Sequence, residues 1–345
     1  MAAVPALSQV PPRPEHRAFV TAPLRGPGLA KLQSLATVVH EPWIDQVPLR
    51  IYDAAGLAER ASGEGADILV VESDLVAGPV FDLPLLAVAA TRGNPTNVDL
   101  AAATEAGVPV LHTPGRNADA VAELTVALLF AVARRVVVAD GEVRAGRVFA
   151  DGTIPYQRHR TWEIAGRTAG LVGLGAVGRA VKWRLVGLGM NVIACDPANP
   201  EAHHGFDDLL AVSDVVSVHA QLDESTRSLV DAKALAAMRD GAILINTARG
   251  ALVDTDALVD ALAVGKLAGA GIDHVEGEVL PEGHRLLSMP EVVFTPHIGG
   301  ATYDTERRGA EMVAGDVERL ICGEPPRYCA NPEVLAKSTR GRRTR

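Results

Sequence analysis

Three side chains in the second half of the chain could together hold an anion and move a proton. His297 follows an extended run and is trailed by Gly299-Gly300. Glu278 lies in a loop beyond Asp273, and Arg249 follows a further extended run. An imidazole titrates near neutral pH, so it can give a proton in one direction of a reaction and take it in the other. A carboxylate behind it fixes the tautomer and favours the protonated ring. A guanidinium fork grips a carboxylate at two points and so aligns a neighbouring carbonyl. Reduction of a 2-oxo acid needs those services and a hydride. Taken singly, each residue serves equally well as a salt bridge or a cap.

The hydride has a visible source in the stretch from Thr168 to Pro197, TAGLVGLGAVGRAVKWRLVGLGMNVIACDP. It reads as strand, glycine turn, helix, strand, acid. Gly173 permits a tight turn, Gly175 lets a pyrophosphate approach the backbone, and Gly178 lets helix pack on strand. Ala176 and Val177 open the helix, whose first N–H groups and positive dipole end face the phosphates. Asp196 ends the second strand. Its carboxylate accepts from free ribose hydroxyls and repels a 2′-phosphate, so NAD is expected over NADP.

Around these residues the chain alternates strand and helix signals. Short β-runs are expected at 16–24, 37–41, 66–73, 83–91 and 108–112, with helices at 27–35, 54–60 and 98–106. Asn117 is placed to cap a nearly all-apolar helix running to about Arg135, which needs burial on most sides. Residues 139–167 read as an irregular connector. Beyond Asp196 come helices at 206–212, 231–238 and 255–264, and strands at 215–220, 242–248, 268–273 and 291–295. A last helix spans 302–322. Alternation of this kind means parallel sheets covered by helices. Asp196, His219, Arg249, Asp273 and His297 all fall at or just past strand ends, where doubly wound sheets bind ligands.

Bulk properties set limits. A chain of 345 residues suits two domains. Its net charge of −9 disfavours nucleic acid as a partner. Three cysteines are too few and too irregular for a disulfide frame or a zinc site, so no metal is expected and a reducing cytoplasm fits. The first residues lack the pattern of a secretory signal, and the most apolar helix is too short to span a bilayer, so no membrane is expected.

On these motifs the chain resembles the D-isomer-specific 2-hydroxyacid dehydrogenases. The matching segments are Gly173 to Gly178 with Asp196, INTARGALVDTDAL from Ile245, AGAGIDHVEGE from Ala268, FTPHIGGAT from Phe294 and NVDLAAATEAGVPVLHTPGRNADAVAE from Asn97. The resemblance implies two Rossmann-like, doubly wound α/β domains with a cleft between them. Residues 1–116 with 302–333 would form a discontinuous substrate domain and residues 117–301 the NAD-binding domain. Residues 334–345 would be a basic disordered tail. It implies His297 as acid/base, Glu278 behind it and Arg249 on the substrate carboxylate. Arg92, Gly93 and Asn94 would join Arg249 and His297 at the substrate. Gly173, Gly175, Ala176, Val177, Gly178, Asp196, His219, Thr247, Ala248, Arg249, Asp273, His297, Gly299 and Gly300 would surround NAD, with Asp273 on the nicotinamide carboxamide. A homodimer or homotetramer is implied, and a substrate like that of phosphoglycerate dehydrogenases or of glyoxylate and hydroxypyruvate reductases.

The chain also departs from the family. Asp273-His274-Val275-Glu276 stands where Asp-Val-Phe-Glu is frequent, Val279 replaces a proline, and Gln221 replaces another. Glu72 and Asp74 would place two acids near the substrate mouth, which argues against a phosphorylated substrate. The competing reading is a non-enzymatic, NAD(H)-sensing protein like the corepressors of this fold, which keep the same residues; turnover separates the two.

Overall fold

The computed structural model describes residues 15–336, so all but the first three residues of the expected tail, 334–345, lie outside it. Contacts divide the chain after Arg116 and again before Thr302. The first part runs β1 (His16–Val20), α1 (Gly26–Leu35), β2 (Ala36–His40), α2 (Ala54–Glu64), β3 (Ile68–Val71), β4 (Ala87–Ala90), α3 (Leu100–Ala106) and β5 (Val110–His112). All five strands are parallel, in the order β2-β1-β3-β4-β5. Every residue of β3 and β4 is buried, as expected of strands covered on both faces.

The second part, Asn117–Ala301, begins with α4 (Ala118–Ala133), α5 (Val136–Arg144) and α6 (Pro155–Arg158). There follow β6 (Thr168–Val172), α7 (Ala176–Gly187), β7 (Asn191–Cys195), α8 (Phe206–Val212), β8 (Val215–Val218), α9 (Ala232–Ala237), β9 (Ala242–Asn246), α10 (Thr255–Ala263), β10 (Leu267–Ile272) and β11 (Val292–Phe294). Its six strands are parallel, ordered β11-β10-β9-β8-β6-β7. The order reverses between β6 and β8, the point at which such sheets hold nucleotides. Helix α4 buries Ala122, Leu128, Leu129 and Ala133 in a core shared with β6 and α7.

A final helix, α11 (Tyr303–Ile321), belongs with the first part. Its buried face of Ala310, Val313, Ala314 and Val317 shares a core with Leu32 of α1 and Val20 of β1. Its cap is Thr302, whose hydroxyl accepts from the Thr305 N–H at 3.1 Å.

Three local expectations are corrected. The connector expected to be irregular contains α5 and α6, and α5 buries none of its residues. Asn117 precedes α4 but makes no side-chain cap, and its amide lies beside Gly300 instead. The tail expected from 334 is ordered at its start: Val334 is buried and residues 333–336 are helical.

Candidate active site

Every strand of the second sheet except β6 leads into a polar residue at its carboxyl end. The glycine turn follows β6. Gly173 has φ +97°, and a Cβ there would lie 2.7 Å from the His219 carbonyl. The turn is therefore pressed against the end of β8, which only glycine permits. A Cβ on Gly175, by contrast, would meet nothing within 4 Å, so the backbone is open on that side. No side chain caps the twelve-residue α7, and Ala176 is exposed with Val177 half-buried at its start. This is a cradle of the kind a pyrophosphate fills, and the residues present fit NAD.

Asp196 lies half-buried at the end of β7. Its carboxylate accepts from the Leu174 N–H at 2.8 Å and the Ala198 N–H at 2.9 Å, which ties it to the glycine turn. Burial, and then the Asp196 charge, push the neighbouring Cys195 thiol up to about 11, so it stays protonated at neutral pH. His219 turns its ring toward Ser217, Nε2 to Oγ 2.9 Å, while Nδ1 is buried without a partner. Burial lowers this histidine to about 4 and keeps it neutral.

Arg249 follows β9 in a turn built by Asn246. The Asn246 side chain donates to the Arg249 carbonyl at 2.9 Å and accepts from the Ala248 N–H at 3.1 Å. The guanidinium is exposed and donates to the Ala248 carbonyl at 2.7 Å. Thr247 points the other way, pairing with Thr125 of α4 at 2.8 Å. Gly250 lies flat against the next loop, where a Cβ would come within 2.1 Å of the Val275 carbonyl carbon. That contact places the Arg249 turn directly beside the loop that carries Glu278.

Asp273 is almost fully buried and holds the turn after β11. One carboxylate oxygen accepts from Thr295 Oγ1 at 2.5 Å and the Ile298 N–H at 2.9 Å; the other accepts from the Gly299 N–H at 2.9 Å. The second oxygen retains an acceptor position. His297 is held by backbone as well, its N–H donating to the Asp273 carbonyl at 2.9 Å. Its Nδ1 lies 3.1 Å from both oxygens of Glu278, so that a hydrogen on Nδ1 would be donated to the carboxylate. Gly300 closes the turn next to Asn117.

Arg249, Glu278 and His297 are thus brought together on one edge of one sheet. Sequence reasoning missed three contributors there. Asn246 builds the Arg249 turn. Glu278 and His297 both have positive φ, 65° and 56°, which costs a non-glycine residue and accumulates at functional sites. His274, visible only as a departure from a motif, lies under His297 with ring centroids 3.5 Å apart. Burial first, then His297, lowers His274 to about 4.

In the first part of the chain, Arg92, Gly93 and Asn94 follow β4. Arg92 Nε donates to the Glu72 carbonyl, and the Gly93 carbonyl pairs with His112 Nδ1 at 2.8 Å. The reading of Glu72 and Asp74 as two open acids is corrected. Asp74 is fully buried, accepting from Thr21 Oγ1 at 2.5 Å and the Tyr52 N–H at 2.8 Å, and Glu72 is ion-paired with Arg116.

Known proteins place the chain. Residues 126–299 match the sequence model of the D-isomer specific 2-hydroxyacid dehydrogenase NAD binding domain. A glyoxylate reductase of Thermofilum pendens is 36% identical over 338 residues, 92% of this chain and 95% of that protein. A D-3-phosphoglycerate dehydrogenase of Archaeoglobus fulgidus is 36% identical over 245 residues, 68% of this chain and 45% of that protein. Among solved structures, the TT0316 protein from Thermus thermophilus is similar with a TM-score of 0.78 at 38% identity, covering 91% of this chain and 99% of that one. No helix among the described residues is long and apolar enough to cross a membrane. Relatives matched nearly end to end, and a family match that spans the glycine turn, Arg249, Glu278 and His297, make this chain a member of the D-isomer specific 2-hydroxyacid dehydrogenase family, an NAD-dependent oxidoreductase of 2-hydroxy acids.

Proposed function

We propose that the protein interconverts a small, unphosphorylated D-2-hydroxy acid and its 2-oxo acid, with glyoxylate or hydroxypyruvate as the favoured oxo acid. The observation that carries this reading is the contact of His297 Nδ1 with both Glu278 oxygens at 3.1 Å, beside the Arg249 turn. NAD, when bound, supplies or accepts the hydride. Arg249 holds the substrate carboxylate at two points and turns the carbonyl toward the nicotinamide. His297 delivers the proton from Nε2 to the carbonyl oxygen in reduction and recovers it in oxidation, while the Glu278 charge steadies the imidazolium. Asp273 fixes the turn that carries His297 and keeps one acceptor position for the carboxamide. Asp196 accepts from the ribose hydroxyls.

Absence of a phosphate on the substrate is inferred from the Glu72–Arg116 pair, which compensates the charge that Arg116 would offer to one. The test is an NADH-oxidation panel over glyoxylate, hydroxypyruvate, pyruvate and phosphohydroxypyruvate, repeated with NADPH. Highest kcat/KM for one of the first two with NADH is expected. Highest kcat/KM for phosphohydroxypyruvate refutes the substrate reading, preference for NADPH refutes the Asp196 role, and NADH binding without turnover on any acid favours a sensing protein.

We also propose a homodimer. The segment from Val136 to Trp162 exposes Val137, Val143, Phe149, Tyr156 and Trp162, with Phe149 at 79% and Trp162 at 78%. An apolar stretch left so open marks a protein interface.

A further inference from the structure

The proton-transfer pair leaves one neighbouring group unused. His274 stands where the family's motif often has valine, and its side chain is only 4% exposed. Its ring is tilted 51° against that of His297, and its Nδ1 lies 3.8 Å from Glu278 Oε1. One ligand atom from each of His274, Glu278 and His297 falls within 4.8 Å of the other two. A tetrahedral zinc ion with bonds of about 2.0–2.2 Å spaces its ligand atoms roughly 3.3–3.5 Å apart. The Glu278 separations, 3.1 Å to His297 and 3.8 Å to His274, bracket that spacing. Glu278 and His297 are half exposed, so they can close on an ion while His274 stays fixed. Two imidazoles and one carboxylate, with the fourth position open, are also the donor set of open three-ligand zinc sites. Both donor types favour zinc and neighbouring first-row divalent ions over magnesium or calcium.

We propose that His274, Glu278 and His297 form a binding site for a zinc-class divalent cation, and that the bound ion inhibits the enzyme by taking His297 and Glu278 out of proton transfer. The inhibition rests on the role given to His297 above; the binding does not.

Metal-stripped full-length protein is titrated with Co²⁺, read by visible absorption, and with Zn²⁺, read by calorimetry. The wild type is compared with His274→Val, the residue frequent in the family, and with His274→Gln, which keeps a polar side chain. Zn²⁺ inhibition is measured for each protein against its own metal-free rate. The wild type is expected to bind one Co²⁺ per chain with the intense absorption of a tetrahedral site, displaced by Zn²⁺. Both variants should weaken the metal by about 10-fold or more, the least expected for a lost ligand when outer contacts alone cost that much. The half-inhibiting Zn²⁺ concentration should rise by the same factor. No stoichiometric Co²⁺ or Zn²⁺ binding, or equal affinity in all three proteins, overturns the site. Binding that depends on His274 but leaves turnover intact upholds the site and overturns the proton role of His297.

Discussion

His297 and Glu278 each adopt a left-handed backbone conformation that costs of order 1–3 kcal/mol. The surrounding structure imposes it: Asp273 takes hydrogen bonds from Thr295, Ile298 and Gly299, and so fixes the His297 turn. At this scale residue types were legible, because a histidine near Gly-Gly, a loop glutamate and a strand-end arginine suit one reaction. Their backbone strain was not, since no residue type announces it. Nor was the isolation of Asp74, which depends on Thr21 and Tyr52 from other elements. Arg249 is open to solvent and makes its one side-chain hydrogen bond to its own neighbour, so its fork is available for a ligand. Arg249→Lys keeps the charge and loses the two-point grip. We expect kcat/KM to fall about 10²-fold or more, roughly 3 kcal/mol of transition-state stabilisation, with NADH affinity nearly kept. Near-normal steady-state kinetics for that variant would remove Arg249 from the site.

Loops, more than strands, set the geometry at the scale of elements. The strands were legible as apolar runs because parallel strands are buried on both faces. Their ends were read one to four residues too long in places, as at β1, which stops at Val20. Helix α5 was missed because Asp140 and Gly141 interrupt its valines with poor helix formers, and none of its residues is buried. The close approach of the Arg249 turn to the Glu278 loop was invisible as well, although Gly250 permits it. A Cβ at Gly250 would sit 2.1 Å and 2.2 Å from backbone atoms of Val275 and Glu276, so one loop must move. Gly250→Ala should cost about 1–3 kcal/mol of stability. In the folded fraction it should lower kcat/KM more than NADH affinity, since it separates Arg249 from Glu278 while sparing the glycine turn. Denaturant unfolding and kinetics on the same preparation decide this. Unchanged kinetics would mean that the two loops do not need that spacing.

At the scale of the whole molecule, the two parallel sheets carry different candidate residues. The glycine turn, Asp196, Arg249, Asp273, Glu278 and His297 all lie on the six-stranded sheet or its loops, whereas Arg92 and the Glu72–Arg116 pair lie on the five-stranded one. The alternation of strand and helix made that arrangement readable. The placing of 302–333 with the first part came from the resemblance, and the core that α11 shares with α1 was not readable from the sequence. Partnership leaves a weaker trace, because exposed apolar residues look like core residues in sequence; Phe149 and Trp162 stand out only once their exposure is known. Light scattering should give twice the 36.1 kDa of one chain. Phe149→Ser with Trp162→Ser should shift the protein toward monomer while NADH still binds. A wild type that is monomeric at micromolar concentration would contradict the dimer.

The proton-transfer pair is tested most directly by kcat against pH in both directions, for wild type and Glu278→Gln, with a deuteride isotope effect showing that hydride transfer limits the rate. Reduction needs protonated His297 and oxidation needs it neutral. The variant keeps the size and a hydrogen bond to His297 Nδ1 but deletes the carboxylate charge of the pair. We expect kcat of the variant to lie about 10²-fold or more below that of the wild type in both directions across the pH range. Superimposable profiles, with hydride transfer limiting in both proteins, would contradict it.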